Sequence, residues 1–217
     1  MEQARVQSIP EGYHTVTPHL VLDDCARGIE FYRRAFGAEE RGRMPGPDGK
    51  IVHAEIRIGN SILMLADEPP PRPGFPDHKS PRSAGVATAS LFVYVNDVDA
   101  AFAKAVKSGC TVAQPVEDMF WGDRFGQVID PFGHCWALAT HVEDVPPEEM
   151  PRRHDEYMAQ MARQSSSAAK NGGQGKSGRK KAAKKSAKAA PAAPARKKAK
   201  APAKKKAPAK KKSVSRG

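Results

Sequence analysis

Two stretches of the chain repeat one hydrophobic pattern. From His19 to Asp24 the sequence reads HLVLDD, a short apolar strand ending in acid, and CARGIEFYRRAFG follows it. Ile29, Tyr32 and Phe36 recur there at helical spacing, Asp24 stands where a carboxylate caps a helix N-terminus, and Gly37 stands where a helix stops. The pattern returns at Leu91, where LFVYVND leads into VDAAFAKAVKSG. Val98, Ala101, Phe102, Ala105 and Val106 form the apolar stripe of an amphipathic helix, with Asp97 as its cap and Gly109 as its stop. The caps lie 73 positions apart and the terminal glycines 72.

Three strand-like runs follow each helix. In the first half they are EERGRM, IVHAEIRI and SILMLA, parted by PGPDGK and by Gly59-Asn60; in the second they are TVAQPVEDMF, RFGQVID and CWALATHV, parted by Trp121-Gly122-Asp123 and by Pro131 to His134. Each half therefore reads β-α-β-β-β. The predicted class is α+β, with two tandem modules of cupped mixed sheet. A unit of about 55 residues buries only about 60% of its surface, so the two modules are expected to fold together. The expected boundaries are an N-terminal extension over 1–13, modules over 14–68 and 87–145, and a short helical extension over 146–164. A linker without regular structure is expected over 69–86, where EPPPRPGFPDHKSPRSAG is rich in proline and glycine.

Charge divides the chain differently. Its 217 residues carry 36 Lys+Arg and 24 Asp+Glu, but no acid follows Gln164, and 19 of the basic residues fall between Lys170 and Arg216. The body thus holds 17 basic residues against all 24 acids, a net charge of −7. Every aromatic residue lies at or before Tyr157. Residues 165–217, with 15 Ala, four Pro and no aromatic, cannot bury a core and are expected to be extended and disordered.

Some classes are excluded at this level. No run of 18 apolar residues is present, and the first residues show neither a basic segment nor an apolar one of secretory type, so a cytoplasmic protein is expected. Cys25, Cys110 and Cys135 are too scattered for a disulfide framework or a paired-cysteine zinc site and read as reduced structural thiols.

The duplicated unit, with DD and IEFYRRAFGAEE in the first half and MFWGDRFGQVIDPFGHCWALATHVEDVPPEEM in the second, resembles the vicinal-oxygen-chelate superfamily. Within it the similarity is to the PhnB-like, glyoxalase/bleomycin-resistance-type proteins, over roughly residues 12–153. The resemblance implies a homodimer and, in the superfamily's enzymes, a divalent metal held by His and Glu from the first and last strand of each half. Thr17, Met64, Ser90 and Ala137 occupy those four positions here, and none is a good ligand, so no metal and no other cofactor is expected. A displaced site of His19, His53 and Glu55 is the alternative, since His19 shares a strand face with Thr17, and His53 one with Glu55. For a metal-free ligand site the candidates are Trp121, Asp123 and Arg124 on one hairpin, together with His19 and Met64. The opposing reading of that hairpin has Phe120 and Trp121 packing at an interface while Asp123 and Arg124 neutralise each other. Asp130 to His134, DPFGH, reads as a turn, and His134 as a general base lacks an identifiable partner.

The tail resembles, in composition, the Lys/Ala/Pro-rich tails of linker-histone-like bacterial proteins. Its clusters Lys180, Lys181, Lys184 and Lys185, then Lys197 and Lys198, then Lys204, Lys205 and Lys206, then Lys210, Lys211 and Lys212 suit a phosphate backbone. Without aromatics for base stacking, non-specific DNA binding and association with the nucleoid are expected. RNA, ribosomes, polyphosphate and anionic lipid satisfy the same electrostatics. Three functions compete: a metal-free small-molecule-binding domain tethered to DNA, a metal-dependent glyoxalase- or dioxygenase-type enzyme, and a dimeric DNA-compacting structural protein.

Overall fold

A computed structural model describes residues 6–74 and 76–172. Strand β1 (His19–Leu22) leads to helix α1 (Cys25–Phe36) and then to β2 (Glu39–Pro45), β3 (Ile51–Ile58) and β4 (Ser61–Asp67). After a one-turn helix α2 (Pro81–Ala84), the order repeats as β5 (Ser90–Tyr94), α3 (Val98–Ser108), β6 (Thr111–Asp118), β7 (Asp123–Ile129) and β8 (Cys135–His141). Helix α4 (Met150–Gly172) follows. The strands form two four-stranded mixed sheets, ordered β1-β4-β3-β2 and β5-β8-β7-β6. In each, the first and last strands pair parallel and the other neighbours antiparallel.

The helix signals act as their chemistry requires. Asp24 accepts from the Arg27 backbone N–H at 3.0 Å and Asp97 from that of Ala100 at 3.0 Å, each satisfying an orphan donor of the first turn. The inner faces of both sheets and the apolar faces of α1 and α3 make one core. Leu20, Leu22, Ile56 and Leu65 join Ile29 and Tyr32 with Val128, Trp136 and Leu138. Across the joint between modules, the Tyr32 ring lies 5.3 Å from Trp136 and the Phe31 ring 5.9 Å from Phe132. A fully buried Trp such as Trp136 removes about 150–250 Å² from water, worth about 4–6 kcal/mol, which explains why the modules share rather than divide their core.

Asp130 fixes that joint. Its Oδ1 accepts the backbone N–H groups of Phe132 and His134 at 2.9 Å each, which makes DPFGH a turn, with Gly133 at φ 88°. Its Oδ2 accepts the Tyr32 hydroxyl at 2.8 Å and the Trp136 indole N–H at 2.9 Å, so one buried carboxylate ties α1 of the first module to β8 of the second. Burial first, and then this carboxylate, push the Tyr32 phenol well above its usual range. A side chain at Gly133 would meet the Arg82 backbone nitrogen at 2.8 Å.

Three expectations change. The 69–86 linker contains regular structure after all: Ser80 caps α2 by accepting the Ser83 N–H, Pro81 sits in the first turn where its missing N–H costs nothing, and Gly85 ends the helix at φ 74°. The extension of 146–164 is one helix that runs on to Gly172, past the expected start of the disordered segment at 165, because after Pro151, tolerated in the first turn, no proline or glycine falls before that point. The strand expected over TVAQPVEDMF stops at Asp118, and Met119 and Phe120 belong to the turn that follows. The lysine clusters of the tail lie outside the described residues. Among those described, no helix is long and apolar enough to cross a membrane.

Candidate functional site

The outer faces of the two sheets carry the candidate residues. In the first sheet His19 on β1 stands beside Met64 on β4, and Met64 beside Glu55 on β3, so one row across the sheet reads His19, Met64, Glu55. With neighbouring strands about 4.8 Å apart, His19 and Glu55 start roughly 10 Å from each other with Met64 between them. Glu55 accepts a short hydrogen bond from the Tyr13 hydroxyl and lies 3.3 Å from His53 Nε2. The Tyr13 bond comes first in holding the Glu55 carboxyl below its ordinary range. Among the described residues no three His, Cys, Asp or Glu side chains are grouped to hold a metal ion, so the set His19, His53, Glu55 does not assemble as ligands. Nor does the position set that the superfamily uses: Thr17 donates to the His14 carbonyl ahead of β1, Met64 offers only a thioether, Ser90 is exposed, and Ala137 has no donor at all.

Beside this row lies a cavity of about 230 Å³. The sheet contributes His19, Val21, Ile51, Val52, Ala66 and Asp67; the linker contributes Glu68, Pro69, Pro70, Arg72 and His78; Asp48 and Lys50 close one side. The His19 imidazole is pushed below its ordinary pKa, first by desolvation and then by His53 and His78. Sequence reasoning placed His19 here but missed Lys50, Arg72 and His78. Arg72 and His78 lie in the proline-rich linker, which is long enough to fold back over the strands, and Lys50 in the turn between β2 and β3. Met64 does not line the cavity.

The second sheet presents a different outer face. Its matching row reads Phe92, Ala137, Gln127. Met119, Phe125, Ala137 and Ala139 form a small apolar cluster there, and Trp121 and Tyr157 pack against it. Asp123, buried, collects the donors around it: its Oδ2 accepts the Trp121 indole N–H at 2.9 Å and the Tyr94 hydroxyl at 3.1 Å, and its Oδ1 lies 2.8 Å from His141 Nδ1. The other His141 nitrogen lies 3.0 Å from Asp144. The bond to Asp144, then that to Asp123, raise the His141 pKa.

The hairpin therefore departs from both expectations. Arg124 is not free to hold a ligand, because its Nε and Nη2 form a two-point bond to Asp99 at 2.7 and 2.8 Å while Nη1 reaches Asp118 at 2.9 Å. Nor do Asp123 and Arg124 neutralise each other, since adjacent strand residues point to opposite sides. Trp121 covers its own chain: Phe120 lies 5.0 Å from it and 5.5 Å from Tyr157 on α4. Arg153 on α4 grips both oxygens of Glu143 at 2.6 and 2.7 Å, and Gly122, at φ 95°, lets that segment approach so closely that a Cβ would stand 2.0 Å from the Glu143 carbonyl oxygen. His134 makes its side-chain bond to the Val21 carbonyl at 3.1 Å, a link between modules rather than a catalytic contact. Cys25 and Cys110 are buried free thiols pushed up to about 12, first by desolvation, which suits the structural role expected of them.

The chain is similar to known proteins. Protein Rv0887c of Mycobacterium tuberculosis is 46% identical over 135 residues, 62% of this chain and 79% of that protein. The crystal structure of TioX from Micromonospora superposes with a TM-score of 0.49 at 28% identity, covering 59% of this chain and 99% of that one. The PhnB protein from Bacillus cereus gives a TM-score of 0.45 at 19% identity, over 58% and 99% of the two chains. Residues 13–138, which run from the tyrosine on Glu55 through both β-α-β-β-β modules, match the Glyoxalase/Bleomycin resistance protein/Dioxygenase superfamily, and it is to this superfamily that the chain belongs.

Proposed function

We propose that the protein is a metal-free small-molecule-binding member of its superfamily whose basic tail tethers it to DNA. The observation that carries the reading is the cavity over the first sheet, bounded by His19, Val21 and Ala66 below and by the linker above. Its wall joins apolar residues, Val21, Ile51, Val52, Ala66, Pro69 and Pro70, to seven titratable ones, a composition able to hold a small polar ligand. The metal-dependent alternative lacks donors, because Met64 and Ala137 stand where it needs hard ligands. The body is proposed to dimerise, which is supported by Phe92 and Tyr94, whose tilted rings lie 5.1 Å apart yet are 48% and 64% exposed on the second sheet.

Native mass spectrometry with metal analysis, on protein purified without chelator, tests the first part. A substoichiometric metal content and retained small molecules are expected; about one tightly held zinc, nickel or iron per chain contradicts the reading. For the tail, affinity for duplexes of scrambled sequence is expected to fall roughly a thousandfold between 50 and 200 mM salt if about six phosphates are neutralised. Removal of residues 173–217 is expected to abolish binding, since the remaining chain, with 18 basic and 24 acidic residues, carries −6. Salt-insensitive binding, or full binding by the truncated chain, contradicts the tether.

A further inference from the structure

The charges around the first-sheet cavity are unevenly committed. Three carboxylates line it, and each already serves the backbone. Asp67 accepts the Cys25 and Ile51 N–H groups at 2.7 Å each, one on either oxygen. Glu68 Oε1 accepts both the N–H and the hydroxyl of Ser80, at 2.9 and 2.7 Å, and Asp48 accepts the Lys50 N–H at 3.1 Å. The two cations differ. Arg43, Arg57, Arg124 and Arg153 are all held by carboxylates elsewhere in the body. The Lys50 ammonium and the Arg72 guanidinium, by contrast, have no ion pair among the described residues, although both border the cavity. Two side-chain donors with fixed positive charge therefore border the hollow, beside three carboxylates that bond backbone N–H groups and keep their charge. His19 and His78 stand beside them, and Val21, Val52, Ala66, Pro69 and Pro70 supply apolar wall.

Size narrows the ligand. At about 30 Å³ per water, 230 Å³ holds the volume of roughly eight waters, and so a molecule of about that many non-hydrogen atoms. We propose that this cavity receives a small aliphatic oxyanion, a carboxylate or a phosphate monoester, whose head is held by Lys50 and Arg72 and whose body lies on Val21, Ala66 and the paired prolines. The proposal rests on the small-molecule reading of the first sheet and names its ligand class. A guanidinium matches the two oxygens of such a head with parallel N–H bonds, and an ammonium adds a point charge. The charge also acts on His19: an anion beside a desolvated imidazole favours its protonated form.

The test uses full-length protein and reads the His19 ring proton by NMR. The probes are pentanoate, inorganic phosphate and, as an uncharged counterpart, pentanamide. Pentanoate or phosphate is expected to raise the His19 midpoint by about half a pH unit or more, with half-saturation at about millimolar ligand. Response to pentanoate alone marks a carboxylate site, and response to phosphate alone a phosphate site. In the Lys50→Gln, Arg72→Gln double variant, whose altered side chains are exposed and leave the core untouched, apparent affinity is expected to drop about tenfold or more. Equal response to pentanamide, or undiminished response of the double variant, overturns the oxyanion class while leaving small-molecule binding at this face intact. Silence of His19 toward all three probes overturns both.

Discussion

Across the first sheet the outer row reads His19, Met64, Glu55; at the matching places of the second it reads Phe92, Ala137, Gln127. The strand orders of the two sheets are the same, and so is the placing of helix caps, yet the faces do different work. The inner faces are tied to each other because both build one core around Tyr32, Phe132 and Trp136, and a change on one side is felt on the other. The outer faces are under no such constraint. On the first, the polar row adjoins a cavity roofed by the linker. On the second, the chain covers part of the face itself, with Trp121 and Tyr157 on the apolar cluster and Asp123 bonded to Trp121, Tyr94 and His141. Duplicated topology thus specifies the scaffold, while the linker over the first sheet and the Trp121 hairpin with α4 over the second set how each outer face is covered.

Substitutions can break this comparison in order of size. The largest effect belongs to the joint: Asp130→Ala strands the Tyr32 hydroxyl and the Trp136 indole N–H in the core and removes the bonds that shape the DPFGH turn. A loss of about 3–5 kcal/mol is expected in urea unfolding, with both modules unfolding together. A loss below about 1 kcal/mol, or separate transitions for the two modules, contradicts a shared core.

The next contrast sets equivalent chemistry on the two outer faces side by side. Asp123→Asn places an amide among three donors in a buried site and is expected to cost about 1–3 kcal/mol. Glu55→Gln, on the half-open first face, should change stability by no more than about 1 kcal/mol. Similar losses from both, measured by the same unfolding assay, would erase the distinction between a closed face and an open one.

The smallest effect is one of pH. An unfolded histidine titrates near 6.5, and the bonds to Asp144 and Asp123 raise His141 above that in the folded protein. The added stability is therefore fully present below about pH 6.5 and is lost as the pH rises through the folded value. Thermal midpoints compared at about pH 6 and pH 8.5 are expected to show this loss in the natural protein and to lack it in His141→Gln. An unchanged difference between the two proteins excludes the contribution.

Much of the scaffold was legible because it is written in local signals. Asp24 and Asp97 cap, Gly37 and Gly109 stop, and apolar positions at helical or alternating spacing mark what lies between them. The DPFGH turn was readable for the same reason, since its Asp bonds the next few amides. The partners of Arg124 were not readable, because Asp99 lies on α3 and Asp118 on β6, and only the packed sheet brings them to one guanidinium. Glu55 and His53 were recognised as sharing a face, but the intervening Met64 that separates Glu55 from His19 is a matter of register across β4. The cavity stayed hidden for a further reason. A proline-rich stretch reads as a spacer, and its path back over His19 follows from packing that no single window of sequence contains.

The central claim is that ligands enter over the first sheet and not over the second. A fragment screen by NMR on full-length protein, with each hit mapped through backbone amide shifts, tests it most directly. The account predicts hits that move His19, Val21, Ala66 and the linker around Arg72 and His78. Hits that map instead to Phe92, Tyr94 and Asp123, leaving the first sheet unmoved, would contradict it.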